Sequence, residues 1–329
     1  MCDQISDAIL DAYLTKDPDS RVAVETMGGH GKIYICGEVT SKVNISKEVV
    51  REIALKVYKS IGYTDRPKVQ VHLVNQSPDI AQGVDTGGAG DQGIMVGYAC
   101  NDNEEMIPQE LYLARKILQE VIDLGYGPDG KSQVTLDDDG KISRLVVSVQ
   151  HKEDDDLDYL KQKVEEIGLK YNNGEEVNVI VNGTGKFVIG GFEGDAGVTG
   201  RKIVQDAYGP QVPVGGGAFS GKDPSKVDRS AAYMARKIAV DLLKEYKLDE
   251  VIVKIAYSIG IAEPLMITAK GLIKNDNKMP SIILDDFSDD FKKYDLTPKG
   301  IIKFLDLKKP IYQKTVEHGA FGHGFNWEK

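Results

Sequence analysis

The segment from Gly215 to Arg229 reads Gly-Gly-Gly-Ala-Phe-Ser-Gly-Lys-Asp-Pro-Ser-Lys-Val-Asp-Arg and concentrates the groups that handle phosphate. Its glycines let backbone N–H groups approach an anion closely. Lys222 and Lys226 supply fixed positive charge, and Asp228 offers a carboxylate for a metal ion bridging phosphates. Gly216, Gly221 and Lys222 fall at P-loop spacing, but Asp223 follows where a P-loop carries Ser or Thr for magnesium. The segment therefore reads as a phosphate site of another kind.

Two further segments have the same character. One is Gly88-Ala89-Gly90-Asp91-Gln92-Gly93; the other is Gly194-Asp195-Ala196-Gly197-Val198-Thr199-Gly200-Arg201-Lys202. Together with the glycine-rich segment, and in this order, they resemble the signatures of the S-adenosylmethionine synthetases, the methionine adenosyltransferases. The likeness runs from Cys2 to Lys329. It implies an enzyme that joins methionine to ATP. The thioether sulfur attacks C5′ of the ribose and displaces intact triphosphate, which is hydrolysed to pyrophosphate and phosphate. A thioether is already a neutral nucleophile, so no general base is needed. The barrier lies in alignment and in charge on the departing triphosphate, which calls for fixed cations and metal.

The resemblance assigns roles residue by residue. Lys131, in Pro128-Asp129-Gly130-Lys131-Ser132, faces the phosphates, as do Arg201, Lys202 and Lys222; Asp129 belongs to the same ATP-binding motif. Lys226 lies at the methionine–phosphate junction, Asp228 is a Mg²⁺ ligand and Glu25 a K⁺ ligand. Asp195 contacts adenosine and methionine, and Ala218 gives ATP a backbone contact. Phe187 packs on adenine, preceded by Lys186 where relatives often carry Arg, with loss of the planar fork. Glu38 and Gln82 hold the amino-acid end of methionine, Asp91 lines the same side, and Asp85 opens the active-site loop. Two subunits share each site in this family, which implies a homodimer or a dimer of dimers.

Taken singly, these residues have plainer readings. Lys131, Lys222 and Lys226 would be surface lysines, Asp91 and Asp195 turn residues beside glycine, and Glu25 and Glu38 solvent-facing strand carboxylates. The constellation carries the assignment. His30, His72, His151, His318 and His323 show no ligand spacing and are read as structural.

The chain departs from the family pattern twice. Relatives carry Gly-His-Pro-Asp-Lys and an apolar residue before Cys-Asp-Gln-Ile-Ser-Asp-Ala, and Met1 stands at the apolar position. A start assigned at an internal methionine and a real truncation would both give this sequence. The expectation is that the chain folds and dimerises but turns over more slowly than one extended by those residues. Only Thr86 and Gly87 separate Asp85 from Gly88, where relatives place roughly ten residues that cover the site and exclude water. The alternatives are an impaired or non-catalytic member serving as an assembly or regulatory subunit, or one that only hydrolyses triphosphate.

Composition bounds the rest. The chain has 329 residues, 41% of them hydrophobic, ample for more than one domain. A formal net charge of -10 argues against nucleic acid as main partner. Cys2, Cys36 and Cys100 have no metal-ligand spacing, and so sparse a count suits a reducing cytoplasm. No apolar run reaches membrane-spanning length, and no signal peptide is read.

The elements that must position these residues recur. Apolar positions at helical spacing mark three first helices: Ile5, Ala8, Ile9, Ala12; Ala114, Ile117, Leu118, Val121; and Ala231, Ala235, Ile238, Ala239, Leu242. Each precedes a strand pair, at 21–26 with 33–39, 132–137 with 144–150, and 250–257 with 264–269. A second helix follows each pair. Val50, Ile53, Val57 and Ile61 line the first, and Leu160, Val164, Ile167 and Tyr171 the second; Thr297-Pro298 caps and opens the third. Strands at 68–74 and 177–181 complete the first two units. Asp137 to Gly140 reads as a solvated hairpin turn, and Glu153 to Asp156 as a solvated loop. The expected fold is α+β: three similar α/β units, which the resemblance places around a pseudo-threefold axis in the S-adenosylmethionine synthetase fold. The units span 1–85, 86–190 and 191–329.

Overall fold

A computed structural model describes residues 1–77, 87–274 and 282–329. The chain opens with α1 (Cys2–Lys16), which leads into β1 (Arg21–Gly29) and β2 (Lys32–Thr40). These two strands pair antiparallel from Arg21↔Thr40 to Gly29↔Lys32. Helix α2 (Lys47–Ile61) then crosses over and delivers β3 (Lys68–Val74) parallel to β2, as a helical crossover must. Ser46 starts α2 by accepting the Val49 N–H on its hydroxyl.

After β4 (Gly93–Cys100) the pattern repeats: α3 (Gln109–Asp123), the antiparallel pair β5 (Gly130–Leu136) and β6 (Ile142–Val149), α4 (Leu157–Tyr171), and β7 (Asn178–Val181) parallel to β6. The turn at 137–140 is the solvated hairpin the sequence implies, with the Asp137 carboxylate accepting the Asp139 and Lys141 N–H groups. Asp156, from the acidic run read as a loop, caps α4 through the N–H groups of Asp158 and Tyr159.

The third unit departs from the repeat. It runs through β8 (Gly197–Val198), α5 (Val227–Tyr246), β9 (Glu250–Tyr257), β10 (Met266–Ile273) and β11 (Ile282–Leu284) to α6 (Pro298–Phe304). Strand β11 precedes the second helix rather than following it, so it pairs antiparallel with β10. The second strand begins at Met266 and extends to Ile273, displaced from the expected 264–269. Thr297 caps α6 through the Gly300 N–H, with Pro298 at the first turn as read.

Among the described residues three sheets result, in the orders β3-β2-β1-β8, β5-β6-β7 and β11-β10-β9-β4. Sheet membership crosses the chain's sequential order. Strand β4, absent from the sequence reading, pairs with β9 along its whole length from Gly93↔Tyr257 to Cys100↔Glu250. Strand β8 adds to β1. The first and third sheets share one continuous core, in which Ile5 and Ile9 of α1 and Ala235 and Ile238 of α5 are fully buried. The three-stranded sheet has its own core around Ile117, Leu145, Leu160 and Val164. Each sheet packs helices on one face: α1 meets β1, α3 meets β5, and α5 meets β4 and β9. No helix among the described residues is long and apolar enough to cross a membrane.

Candidate active site

The glycine-rich segment lies against the edge of β1, where two ends of the chain are tied together. Gly221 adopts φ +78°, and a Cβ there would lie 1.9 Å from the Val24 carbonyl oxygen. Only glycine fits this approach without displacing β1. The Val24 N–H donates to the Gly221 carbonyl at 3.0 Å, and the Asp223 N–H to the Val22 carbonyl at 2.9 Å. Residues 221–223 thus extend the first sheet, with Ala23 and Lys222 bridged.

From this fixed edge Lys222 reaches back over the loop. Its Nζ lies 2.6 Å from Asp228 Oδ2, while Asp228 Oδ1 accepts the Gly217 N–H at 2.8 Å. Asp228 sits in the first turn of α5 and is buried. Lys226 pairs instead with Asp223, whose Oδ2 also accepts the Val22 N–H at 2.7 Å. Asp223, the residue that breaks the P-loop pattern, therefore fixes the loop to β1 and orients Lys226.

Beneath the loop is a buried ion pair. Arg229 Nη1 lies 2.8 Å from Asp7 Oδ1, and the same oxygen accepts the Gly221 N–H at 2.7 Å. Arg229 also donates to the Lys222 carbonyl at 2.8 Å and stacks on the Tyr312 ring, 4.3 Å from its centroid. Burial pushes the Asp7 carboxyl up, opposed by Arg229 beside it. Burial is the largest single influence on Arg229 and lowers it, but Asp7, Tyr233 and Tyr312 together raise it on balance. With Nη1 on Oδ1 and Nη2 on Oδ2, the contact is two-pronged and depends on both partners.

A second loop meets the first. Thr199 Oγ1 bonds Ser6 Oγ at 2.8 Å and accepts the Thr26 N–H at 2.8 Å, and the Gly200 N–H donates to Asp3 Oδ1 at 2.8 Å. Gly200, at φ +71°, abuts Ala218 so closely that a Cβ would lie 2.4 Å from that of Ala218. The loop carries Arg201 and Lys202, both exposed, with Arg201 Nη1 donating to the Ala196 carbonyl at 2.8 Å. Asp195, Arg201 and Lys202 line a cleft of about 320 Å³ with Asp129, Tyr63 and Phe192. Asp129 Oδ2 accepts the Gly191 N–H at 3.0 Å, which fixes one wall.

The other candidates stand apart within one chain. Lys131, on β5, borders a separate cleft of about 260 Å³ with Arg115, Asp206 and His318. Lys186 pairs with Glu153 at 2.6 Å, and both are exposed. Phe187 is held by His151, whose Nε2 accepts the Phe187 N–H at 2.9 Å while Nδ1 faces the Lys152 carbonyl at 2.7 Å. That geometry places the ring proton on Nδ1. Glu25 and Glu38 point outward from β1 and β2, on the face not covered by helices. Asp91 accepts the Gln92 N–H at 2.8 Å within its own turn. Gln82 and Asp85 lie outside the described residues.

Sequence reasoning passed over Asp3, Ser6 and Asp7, which occupy one end of α1 and latch both loops. It also passed over the partner roles of Asp223 and Arg229. A carboxylate among Ile5, Ala8 and Ile9, on a face bound for the core, was the available signal for Asp7. The cluster offers cations and glycine N–H groups in several positions. It suits electrostatic stabilisation of a polyanion rather than proton abstraction.

Three family models match the chain: the S-adenosylmethionine synthetase N-terminal domain over residues 1–83, the central domain over 86–187 and the C-terminal domain over 189–329. Curated relatives agree along the full length. The chain is 41% identical over 362 residues to S-adenosylmethionine synthase 2 of Rhodospirillum rubrum, covering 100% of this chain and 92% of that one. It is 44% identical over 364 residues to S-adenosylmethionine synthase of Helicobacter hepaticus, and 44% over 363 residues to that of Wolinella succinogenes, again covering 100% of this chain and 92% of each relative. With all three domain models matched in order and such relatives spanning the whole chain, the chain belongs to the S-adenosylmethionine synthetase family.

Proposed function

We propose that the chain is a methionine adenosyltransferase, forming S-adenosylmethionine from ATP and methionine with release of pyrophosphate and phosphate. The observation that carries this reading is the Lys222–Asp228 contact over the glycine loop, 2.6 Å long, beside a second loop bearing Arg201 and Lys202. The reaction needs charge neutralised on a leaving triphosphate, and this cluster supplies fixed cations where backbone N–H groups also converge.

Lys222, Arg201 and Lys202 hold the triphosphate and stabilise charge as the C5′–O bond breaks. Lys226, oriented by Asp223, sits where the methionine and phosphate ends meet. Ala218 contributes its backbone to ATP. Asp195 faces the cleft from which adenosine and methionine approach. Lys131 and Asp129 supply the phosphate contacts of the central unit, and Phe187 with Lys186 flanks the adenine. Glu38, Gln82 and Asp91 receive methionine. The chain divides functionally at 85/86 and 190/191.

Asp228 fits a Mg²⁺ site only in company. Its two oxygens already accept Gly217 and Lys222, and no group of three or more His, Cys, Asp and Glu gathers among the described residues. Magnesium usually takes one or two carboxylates and completes its shell with phosphate oxygens and water. Asp228 would be one such ligand, and Glu25 would hold K⁺. A bound Mg²⁺ would supply further neutralisation of the triphosphate.

Lys131, Lys186, Phe187, Glu25 and Glu38 stand outside the glycine loop of their own chain, and each sheet exposes apolar side chains, Met27, Ile180 and Met266 among them. Self-association as a dimer or dimer of dimers, in the cytoplasm, brings half-sites from two chains together. The direct experiment is incubation of the purified chain with ATP, methionine, Mg²⁺ and K⁺, following S-adenosylmethionine by chromatography. ATP or triphosphate hydrolysis with no sulfonium product would overturn the reading.

A further inference from the structure

A cavity of about 570 Å³ lies beside the phosphate cluster and borders it through Ser225 of the glycine-rich segment and Gly88 of the second glycine segment. Its described lining includes Ser225, Pro298, Lys299, Ile302, Lys303 and Lys308. The volume falls in the range that holds a small organic molecule and is larger than a bare phosphate needs.

Three features of this cavity bear on what it holds. First, Lys299 and Lys303 project from one face of α6 at i, i+4 spacing, and neither makes an ion pair among the described residues. Like charges at that spacing weaken a helix slightly, although Lys303 in the last turn suits the helix C-terminus. Lys308, by contrast, pairs with Asp19, and Asp306 on the rim is taken by Lys309. Second, Ser225 lines the cavity, while its Oγ is closed to solvent and has no hydrogen-bond partner among the described residues, so the polar character of the cavity comes from the lysines. Third, Pro298, Ile302 and the lysine stems give the cavity an apolar wall beside its charged rim.

We propose that this cavity binds an amphipathic phosphate: an aromatic or apolar body against Pro298 and Ile302, with its phosphate between Lys299 and Lys303. The charge complementarity specifies the anion, and the apolar wall and volume specify the body. None of these residues belongs to the transfer cluster, although Ser225 adjoins Lys226 in sequence.

The test uses the full chain and 1-naphthyl phosphate as fluorescent probe, with 1-naphthol and inorganic phosphate as comparison ligands. The double variant Lys299→Glu/Lys303→Glu should weaken naphthyl phosphate binding at least ~10-fold, with its thermal midpoint of unfolding unchanged. The proposal is overturned if naphthyl phosphate fails to bind at millimolar concentration, or if the double variant binds it as well as the parent does. Equal affinity for 1-naphthol would show that the anion contributes nothing. Equal affinity for inorganic phosphate would show the same of the apolar body. Either result contradicts the assignment.

Discussion

Asp7, in the second turn of α1, holds Arg229, in the first turn of α5, at 2.8 Å while accepting the Gly221 N–H at 2.7 Å. One buried carboxylate thus ties a helix near the start of the chain to the glycine loop and to the helix that carries Asp228. Replacing Asp7 by Asn keeps its shape but leaves Arg229 buried without a counter-charge. The expected loss is about 3–5 kcal/mol of unfolding free energy. Urea unfolding measures it, and a change below ~1 kcal/mol would remove Asp7 from this role.

Lys222 is expected to act mainly in the transition state. Lys222→Met should lower kcat by ~2.7–4 kcal/mol in activation free energy, roughly 100- to 1,000-fold, because one preorganised electrostatic donor is lost. Steady-state kinetics at saturating methionine distinguish this from a binding role. An unchanged kcat with a raised KM for ATP would make Lys222 a uniform binding group.

His151 is buried and supports Phe187 through the Phe187 N–H, 2.9 Å from Nε2. If Phe187 packs on adenine, His151→Ala should raise KM for ATP about tenfold with little loss of kcat, the equivalent of one buried hydrogen bond and its packing. An unaltered KM would separate Phe187 from adenine binding.

Asp206 makes the chain's stability depend on pH. Burial, aided by Asp3, raises its carboxyl to about 7, above the ordinary carboxylate range. The folded state therefore holds this proton more tightly than the unfolded state. The stabilisation is complete below the unfolded pKa and is lost as pH rises through about 7. Asp206→Asn should remove that loss, raising the unfolding midpoint relative to the parent at pH 8 but not at pH 4. After discounting for partial exposure, the gain is on the order of 1 kcal/mol. A variant effect equal at both pH values would contradict this origin.

The covered and uncovered sheet faces bear on assembly. Met27 and Val74 of the first sheet, Ile180 of the second, and Ile94 and Met266 of the third are exposed. An obligate dimer through such faces would bury more than ~2,000 Å². Sedimentation at low micromolar concentration should give a dimer or tetramer. A monomer that makes S-adenosylmethionine would show that one chain completes the site alone.

The glycine loop, Lys222, Lys226 and Asp228 were legible because their chemistry is local: the spacing of glycines and charges is itself the signal. The hairpins and the Thr297-Pro298 cap were legible for the same reason. Strand β4 was not, because its sequence Gly-Ile-Met-Val-Gly-Tyr-Ala-Cys has little polar alternation, in keeping with burial of every residue from Met95 to Cys100. Asp7 and Arg229 are separated by more than two hundred residues, so no periodicity links them. Asp223 was readable only as a departure from a P-loop. Its role depends on β1 lying alongside, which is a property of the fold.

The central claim is displacement at C5′ by the methionine sulfur, with triphosphate leaving through its 5′ oxygen. The most direct measurement uses ATP labelled with ¹⁸O at that oxygen, together with methionine and Mg²⁺, and mass spectrometry of all products. The account predicts S-adenosylmethionine, pyrophosphate and phosphate in equal amounts, with the label in the phosphate products. Label retained on an adenosine-containing product, without sulfonium formation, would mean P–O cleavage and contradict it.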